Sequence, residues 1–490
     1  MEDGLHTPEE YAEGRQSTWK LLFLIRLTLS ASIGGLIFGY DAGVISGASL
    51  FVQAIVGAIV GAAIGGWISD SHGRRTSILV ADLLSIVGAI IMAFAPVPRV
   101  MIIGRILMGL GVGILSMASP LYISEASPTR IRGALVGTNW LLYTVGNLLF
   151  YLTNLAFTKA PGTWRWLVGV GGIPALVQLI LMFLLPESPR WLYKQNREEE
   201  AVDILLKISP QHEVSKVVES LKALRENKIA NPIVLHSRSM QMKECVALTN
   251  RGILTGILYH MSQQYWAVNM KLVLYRTATG FASNKMVLLA LPLVTSGLGV
   301  LGSIVTITFV DRIGRRPMMV LSVLVTFLLQ FVLVPTFMAF GNHPSKYVLL
   351  CVGAFIFSYS TGIATVAWIV SSEVYPLRNR GMCAGIAAVS YWVFKLLVNP
   401  LFLVFKNSLG PDEAMLYFAP FSAMTGAYVM LIIPETKRLP LEEVENMLIR
   451  LLESEKKPIE SSQALPVPDS ARSRPRTCQA GGARSADTNV

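Results

Sequence analysis

Asp70-Ser-His-Gly-Arg-Arg75 closes one apolar block of the sequence and opens the next, and Asp311-Arg-Ile-Gly-Arg-Arg316 does the same in the second half of the chain. Two further motif pairs keep this order. Glu125 is followed seven residues later by Arg132-Gly133, and Glu373 by Arg380-Gly381. Pro186-Glu-Ser188 is echoed by Pro434-Glu-Thr436. Three motif pairs in one order mean a duplicated unit, and each copy carries half of the apolar blocks.

Those blocks set the fold class. The 490 residues are 52% hydrophobic and only 15% charged, where soluble domains carry roughly 25% charged residues. Mean hydropathy is +0.52. The apolar residues gather in runs of about 18–25, the length that spans a bilayer as a helix. A backbone in lipid must satisfy its own polar groups, so the runs are predicted to be helices. Twelve spans are predicted, at 22–46, 52–69, 76–95, 99–122, 133–157, 165–185, 252–276, 286–310, 317–340, 347–370, 382–406 and 414–433. The fold class is an all-α membrane protein of about twelve transmembrane helices in two six-helix halves. An even count puts both termini on one side, and the basic turns at 70–75 and 311–316 put that side in the cytoplasm.

The organisation follows. Residues 1–21 form a cytoplasmic N-terminal segment, 22–189 a six-helix bundle and 251–434 its partner. Residues 190–250 are charged, with Ala201, Ile204, Leu205 and Ile208 at helical spacing, and read as a cytoplasmic linker of amphipathic helices. The tail 435–490 becomes rich in Ser, Pro, Ala and Arg and reads as mostly disordered. The net charge of +11 sits in short loops between apolar blocks, the pattern of membrane topology rather than of a nucleic-acid partner. Cys245, Cys351, Cys383 and Cys478 have neither metal nor disulfide spacing. The polar, acidic start is unlike a signal peptide. No nucleophile–base pair or metal cluster stands out, so neither an enzyme nor a cofactor is expected.

The residues also carry a resemblance. Phe38-Gly-Tyr-Asp-Ala-Gly-Val-Ile-Ser-Gly47, Gly104-Arg105, Pro186-Glu-Ser-Pro-Arg-Trp191, Gln263-Gln264, Ser372-Glu-Val-Tyr-Pro-Leu-Arg-Asn-Arg-Gly381 and Pro434-Glu-Thr-Lys437 occur in the order found in the sugar porters of the major facilitator superfamily. Ile123-Ser-Glu-Ala-Ser-Pro128, Arg132-Gly-Ala-Leu135 and Gly162-Thr-Trp-Arg-Trp166 resemble the plant-type proton/myo-inositol symporters most. The resemblance implies alternating access around a site between the halves, with a polyol or sugar as substrate, protons as coupling ion and the plasma membrane rather than the vacuolar membrane as location. A hexose transporter is the alternative within the class. A weakened or non-transporting, substrate-binding sensor is the alternative outside it.

Three groups of residues are candidates. At the cytoplasmic helix ends, Asp70, Arg74, Arg75, Glu125 and Arg132 recur as Asp311, Arg315, Arg316, Glu373 and Arg380. Carboxylates facing guanidinium forks give directional bonds, so these are expected to form a gate that holds the two halves together. Glu187 and Glu435 are expected in the same network. Within the membrane, Asp41 is a functional candidate by its cost alone, and the resemblance implies that it pairs with Arg105 and takes the coupling proton. Asp82 is expected to be structural. For the substrate, spans supply amides that both donate and accept, and aromatic planes: Gln263, Gln264, Asn269, Asn147, Trp368 and Trp392. The Gly104, Gly109, Gly111 and Gly113 run has no strand before it and reads as close helix packing rather than a dinucleotide loop.

The chain also departs from the family. Leu50-Phe-Val-Gln53 leaves almost no loop between the first two spans. His260 stands in place of Gln, Ala267 of Gly, Val273-Leu274 of a Tyr-Tyr pair and Ala367 of Pro. Lys395 stands where a substrate-facing Asn is expected, and Lys271 also lies within a span.

Overall fold

With no water to bond it, a backbone in hydrocarbon closes its own hydrogen bonds, and the apolar blocks accordingly form long helices in the computed structural model. The structure describes residues 8–45, 51–157, 163–229, 235–280, 285–340, 346–410, 435–445 and 447, with single positions between 413 and 430. Helices α1 (Pro8–Ile45), α2 (Phe51–His72), α3 (Arg74–Ala93), α4 (Pro98–Ala126) and α5 (Arg132–Phe157) come first. A sixth passage follows as α6 (Thr163–Val170) and α7 (Gly172–Phe183). Three short helices succeed them: α8 (Pro189–Lys194), α9 (Glu198–Ile208) and α10 (Gln211–Ile229). Then come α11 (Leu235–Gly280), α12 (Lys285–Ile313), α13 (Arg315–Phe340), α14 (Lys346–Tyr359), α15 (Thr365–Val374) and α16 (Arg380–Ser408). A π-helical turn, Ser360–Ala364, joins α14 to α15.

Among the described residues, ten stretches are long and apolar enough to cross a membrane. The predicted seventh span, 252–276, lies inside α11 but is not one of the ten, because His260, Gln263, Gln264, Asn269 and Lys271 dilute its apolar face. The helix runs straight through residue 250, where the linker was expected to end. The predicted twelfth span lies mostly outside the described residues, as do residues 46–50 of the short first loop and the tail beyond 447.

Small residues decide which helices touch. A Cβ on Gly109 or Gly113 would come within 2.2 Å of the Ala54 or Ala58 carbonyl oxygen, so α4 and α2 lie backbone to backbone. This is the packing role expected of the glycine run. Further contacts join the two sequence halves, α2 against α16 and α5 against α12, and α11 packs along α16. In the linker, Ala201, Ile204, Leu205 and Ile208 are all buried, as their spacing predicts. Asp82 is fully buried on α3, with no hydrogen-bond partner for either carboxylate oxygen among the described residues.

Candidate functional site

The Arg-rich end of the bundle is built from the repeated motifs. Gly73 and Gly314 each adopt a positive φ, +104° and +115°, and each closes the turn before an Arg pair. A Cβ on either would strike the carboxylate of Glu187 or Glu435. These two glutamates cap the helices that follow. Glu187 accepts the amides of Arg74 at 2.9 Å and Arg75 at 3.0 Å. Glu435 accepts those of Arg315 at 3.1 Å and Arg316 at 3.0 Å. A negative charge at a helix N-terminus stabilises it by about 0.3–1 kcal/mol. Burial pushes the Glu187 carboxyl up, and its backbone hydrogen bonds oppose that push.

Two fully buried glutamates organise the arginines. Glu125 binds Arg74 at 2.9 Å and accepts the Ser188 hydroxyl. Glu373 binds Arg315 at 2.9 Å and accepts the Thr436 hydroxyl. Each set also reaches across. Arg132 of α5 donates to Glu373 at 2.8 Å, and Arg380 of α16 lies 3.9 Å from Glu125. The aspartates cross as well. Asp70 accepts the amides of Gly381 at 3.2 Å and Met382 at 2.9 Å, the first turn of α16. Asp311 accepts those of Gly133 at 3.1 Å and Ala134 at 2.8 Å, the first turn of α5. Eight of the ten expected gate residues therefore meet in one layer that joins the two halves. Arg75 and Arg316 do not. Arg75 donates to the Met182 and Phe183 carbonyls at the end of α7, 2.9 Å each, and Arg316 donates to the Met430 carbonyl. Arg75 thus caps the C-terminus of α7, and both arginines bond carbonyls of their own half.

Sequence reading missed several members of this layer. The Ser188 and Thr436 hydroxyls are the third residues of a repeated motif, and that recurrence is the signal that could have found them. Arg190 donates to Glu442 at 3.0 Å, and Arg132 also donates to the Leu439 carbonyl at 2.9 Å. Nothing local marks these last pairs.

Deeper in the bundle, Arg105 of α4 donates to Asp41 of α1 at 2.8 Å, and both side chains are buried. The second carboxylate oxygen of Asp41 has no hydrogen-bond partner among the described residues. The expected pair is thus present in the structure, with one acceptor unused.

An aromatic cluster lies between the halves. Phe38 of α1, Trp140 and Tyr143 of α5, Trp368 of α15, and Tyr391 and Trp392 of α16 meet with ring centroids 4.3–6.3 Å apart. His260 packs on Trp368 at 4.6 Å. The Trp392 indole donates to the Ser116 hydroxyl at 3.3 Å, which ties α16 to α4. A narrow cleft adjoins the cluster, walled by Ser116, Pro120, His260, Trp368, Ser372 and Tyr375. Trp368 and Trp392 thus fall together. Gln263 donates to the Ala364 carbonyl at 3.2 Å, at the π-helical turn, and Gln264 pairs with the Tyr391 hydroxyl. A π turn frees backbone carbonyls from the helical ladder, and Gln263 takes one. Asn269 sits farther along α11 and accepts from Gln330 at 3.5 Å, whereas Asn147 keeps a buried oxygen without a partner.

Membrane-length helices in two halves, joined in this way, make the major facilitator fold of membrane transporters. The chain belongs to the sugar (and other) transporter family, whose model matches residues 49–448. It is 41% identical to inositol transporter 4 of Arabidopsis thaliana, over 90% of this chain and 94% of that protein. The structure of the major facilitator proton:xylose symporter XylE bound to 6-bromo-6-deoxy-D-glucose matches with a TM-score of 0.76 at 25% identity, over 88% of this chain and 100% of that one. The inward-open conformation of XylE from E. coli matches with a TM-score of 0.62 at 27% identity, over 86% and 99%.

Proposed function

We propose that this protein is a proton-coupled myo-inositol symporter of the plasma membrane that works by alternating access. The buried Asp41–Arg105 pair carries the reading. A carboxylate in a dry site stays ionised while a guanidinium faces it and binds a proton when left alone. Movement of α1 against α4 would switch Asp41 between those conditions. The ion-paired layer is the cytoplasmic gate: it must part for the site to open inward, and its rebuilding resets the cycle. Gln263, Gln264, Asn269 and Asn147 hold hydroxyls, and Trp368 and Trp392 face the ring of the substrate. The relationship to an inositol transporter supports the polyol as substrate and the likeness to a proton:xylose symporter supports the coupling.

The test is uptake of radiolabelled myo-inositol and glucose at acid and neutral pH, in a yeast strain without its own carriers for either. Acid-stimulated inositol uptake is expected. Glucose uptake alone would make the protein a hexose transporter, and uptake of neither by protein present at the surface would overturn myo-inositol symport.

A further inference from the structure

Lys395 belongs to a membrane-crossing stretch of α16 and points into the aromatic cluster. Its ammonium lies 4.7 Å from the Trp392 ring centroid, 5.2 Å from Phe38 and 5.5 Å from Tyr391. The Nζ atom is buried and has no hydrogen-bond partner among the described residues. Ring faces attract the charge. They leave the directional demand of three N–H donors largely unmet.

The surrounding charges do not supply what is missing. Phe38 and Asp41 lie three residues apart on α1, hence on one face, and this brings the Asp41 carboxylate within electrostatic reach of Lys395. That carboxylate already serves Arg105 of α4. From α11, Lys271 adds a further cation and His260 an imidazole packed on Tyr391. Two guanidinium and ammonium groups, Arg105 and Lys395, therefore share one carboxylate. A buried charge without its partner is costly, by several kcal/mol for an isolated ion. A ligand that brings a negative charge removes that cost, whereas a neutral polyol leaves it in place.

Building on the reading of this aromatic cluster as a polyol-binding site, we propose that it takes an anionic polyol, a sugar acid of the uronate class, whose carboxylate is held by Lys395. The rings of Trp368, Tyr391 and Trp392 pack on the sugar plane. The indole N–H of Trp368, which has no hydrogen-bond partner among the described residues, is placed to serve a hydroxyl. Substitution of the Asn expected at position 395 by Lys is then a change of substrate charge class.

The experiment pairs uptake with binding, using the full chain. Cells displaying the protein are given labelled glucuronate, myo-inositol or glucose, and purified protein is titrated with each. Saturable glucuronate uptake is expected. Lys395→Asn should weaken apparent glucuronate affinity by about tenfold or more, the loss of a charge-assisted hydrogen bond, and improve that for myo-inositol. Lys395→Arg should retain glucuronate binding, which separates charge from folding. Glucuronate binding without uptake would keep this inference and overturn the transport reading. Inositol uptake with no glucuronate binding, unchanged in Lys395→Asn, would overturn the inference and keep transport. Binding of none of the three would overturn both.

Discussion

The Asp70 carboxylate accepts the backbone amide of Gly381, 311 residues away in sequence, and Asp311 does the same for Gly133 across 178 residues. Each half thus uses the aspartate of its own Arg-rich turn to cap a helix of the other half. The bond is directional and charge-assisted, and it exists only while this end is closed. Halves that rock apart at this end must break both caps and the Arg132–Glu373 pair together. As a gate, this layer would act as one cooperative two-sided joint rather than as a set of separate ion pairs.

Removing one cap should loosen the joint. Cys383 on α16 is 1% exposed, one turn beyond the Asp70 cap. In a chain whose other three cysteines are serine, Asp70→Ala should raise the rate of Cys383 labelling by a membrane-permeant maleimide several-fold. Labelling at the unaltered rate would mean that the cap does not hold the closed state.

Glu373 serves two arginines, whereas Arg132 serves one carboxylate and a carbonyl. Glu373→Gln leaves both guanidinium groups short of a charge, but Arg132→Ala leaves Glu373 still paired with Arg315. Breaking a buried pair by losing one partner costs about 3–5 kcal/mol. Both variants should lower transport turnover, Glu373→Gln by the larger factor, and both should lower the melting temperature in detergent. The reverse order would show that the layer is not organised around Glu373.

Much of this was legible in the sequence, for physical reasons. A bilayer demands long apolar helices, so ten of the predicted spans reappear as helices able to cross a membrane. Duplication made the motif pairs visible, and their residues meet in the gate layer. The full partner set of each gate charge was not legible. Asp70 and Asp311 pair with Arg74 at 3.4 Å and Arg315 at 2.9 Å, as their motif suggests, but they also cap backbone amides across the halves, because the first turn of a helix competes with a side chain for any nearby anion. Arg75 and Arg316 look the same in sequence as Arg74 and Arg315, but one residue of helical rotation turns them to the carbonyls of their own half. The π turn at Ser360–Ala364 and the Arg190–Glu442 pair depend on packing between distant elements, which no local pattern encodes.

The Arg190–Glu442 pair lies outside the membrane-crossing helices and gives a pH signature. Burial pushes the Glu442 carboxyl up, but the charge and hydrogen bond of Arg190, a backbone hydrogen bond and the Arg380 charge together outweigh it and hold the group below its ordinary value of 4.5. A carboxyl depressed in the folded state contributes stability that is fully present above the unfolded value and is lost as pH falls through the folded one. Glu442→Gln should therefore melt below the native protein at neutral pH. The gap should close only on acidification beneath the ordinary glutamate range. A gap that stays constant to strong acid would assign the effect to packing instead of charge.

The sharpest prediction concerns Asp41. Its pair with Arg105 is the buried ion pair that ties α1 to α4, and one of its oxygens is unused. Asparagine keeps the shape and one acceptor but cannot carry the proton. If Asp41 couples transport to the proton gradient, Asp41→Asn should abolish pH-driven accumulation of substrate while exchange across the membrane persists, because exchange needs the carrier to bind and turn but not to reload a proton. The measurement is accumulation against exchange in vesicles with an imposed pH gradient, using the substrate identified by uptake. Loss of both would make the pair a structural joint whose removal stops the cycle. Uphill accumulation at the native level would place proton coupling on another group, and among the charges facing the aromatic cluster Lys395 would be the first to replace.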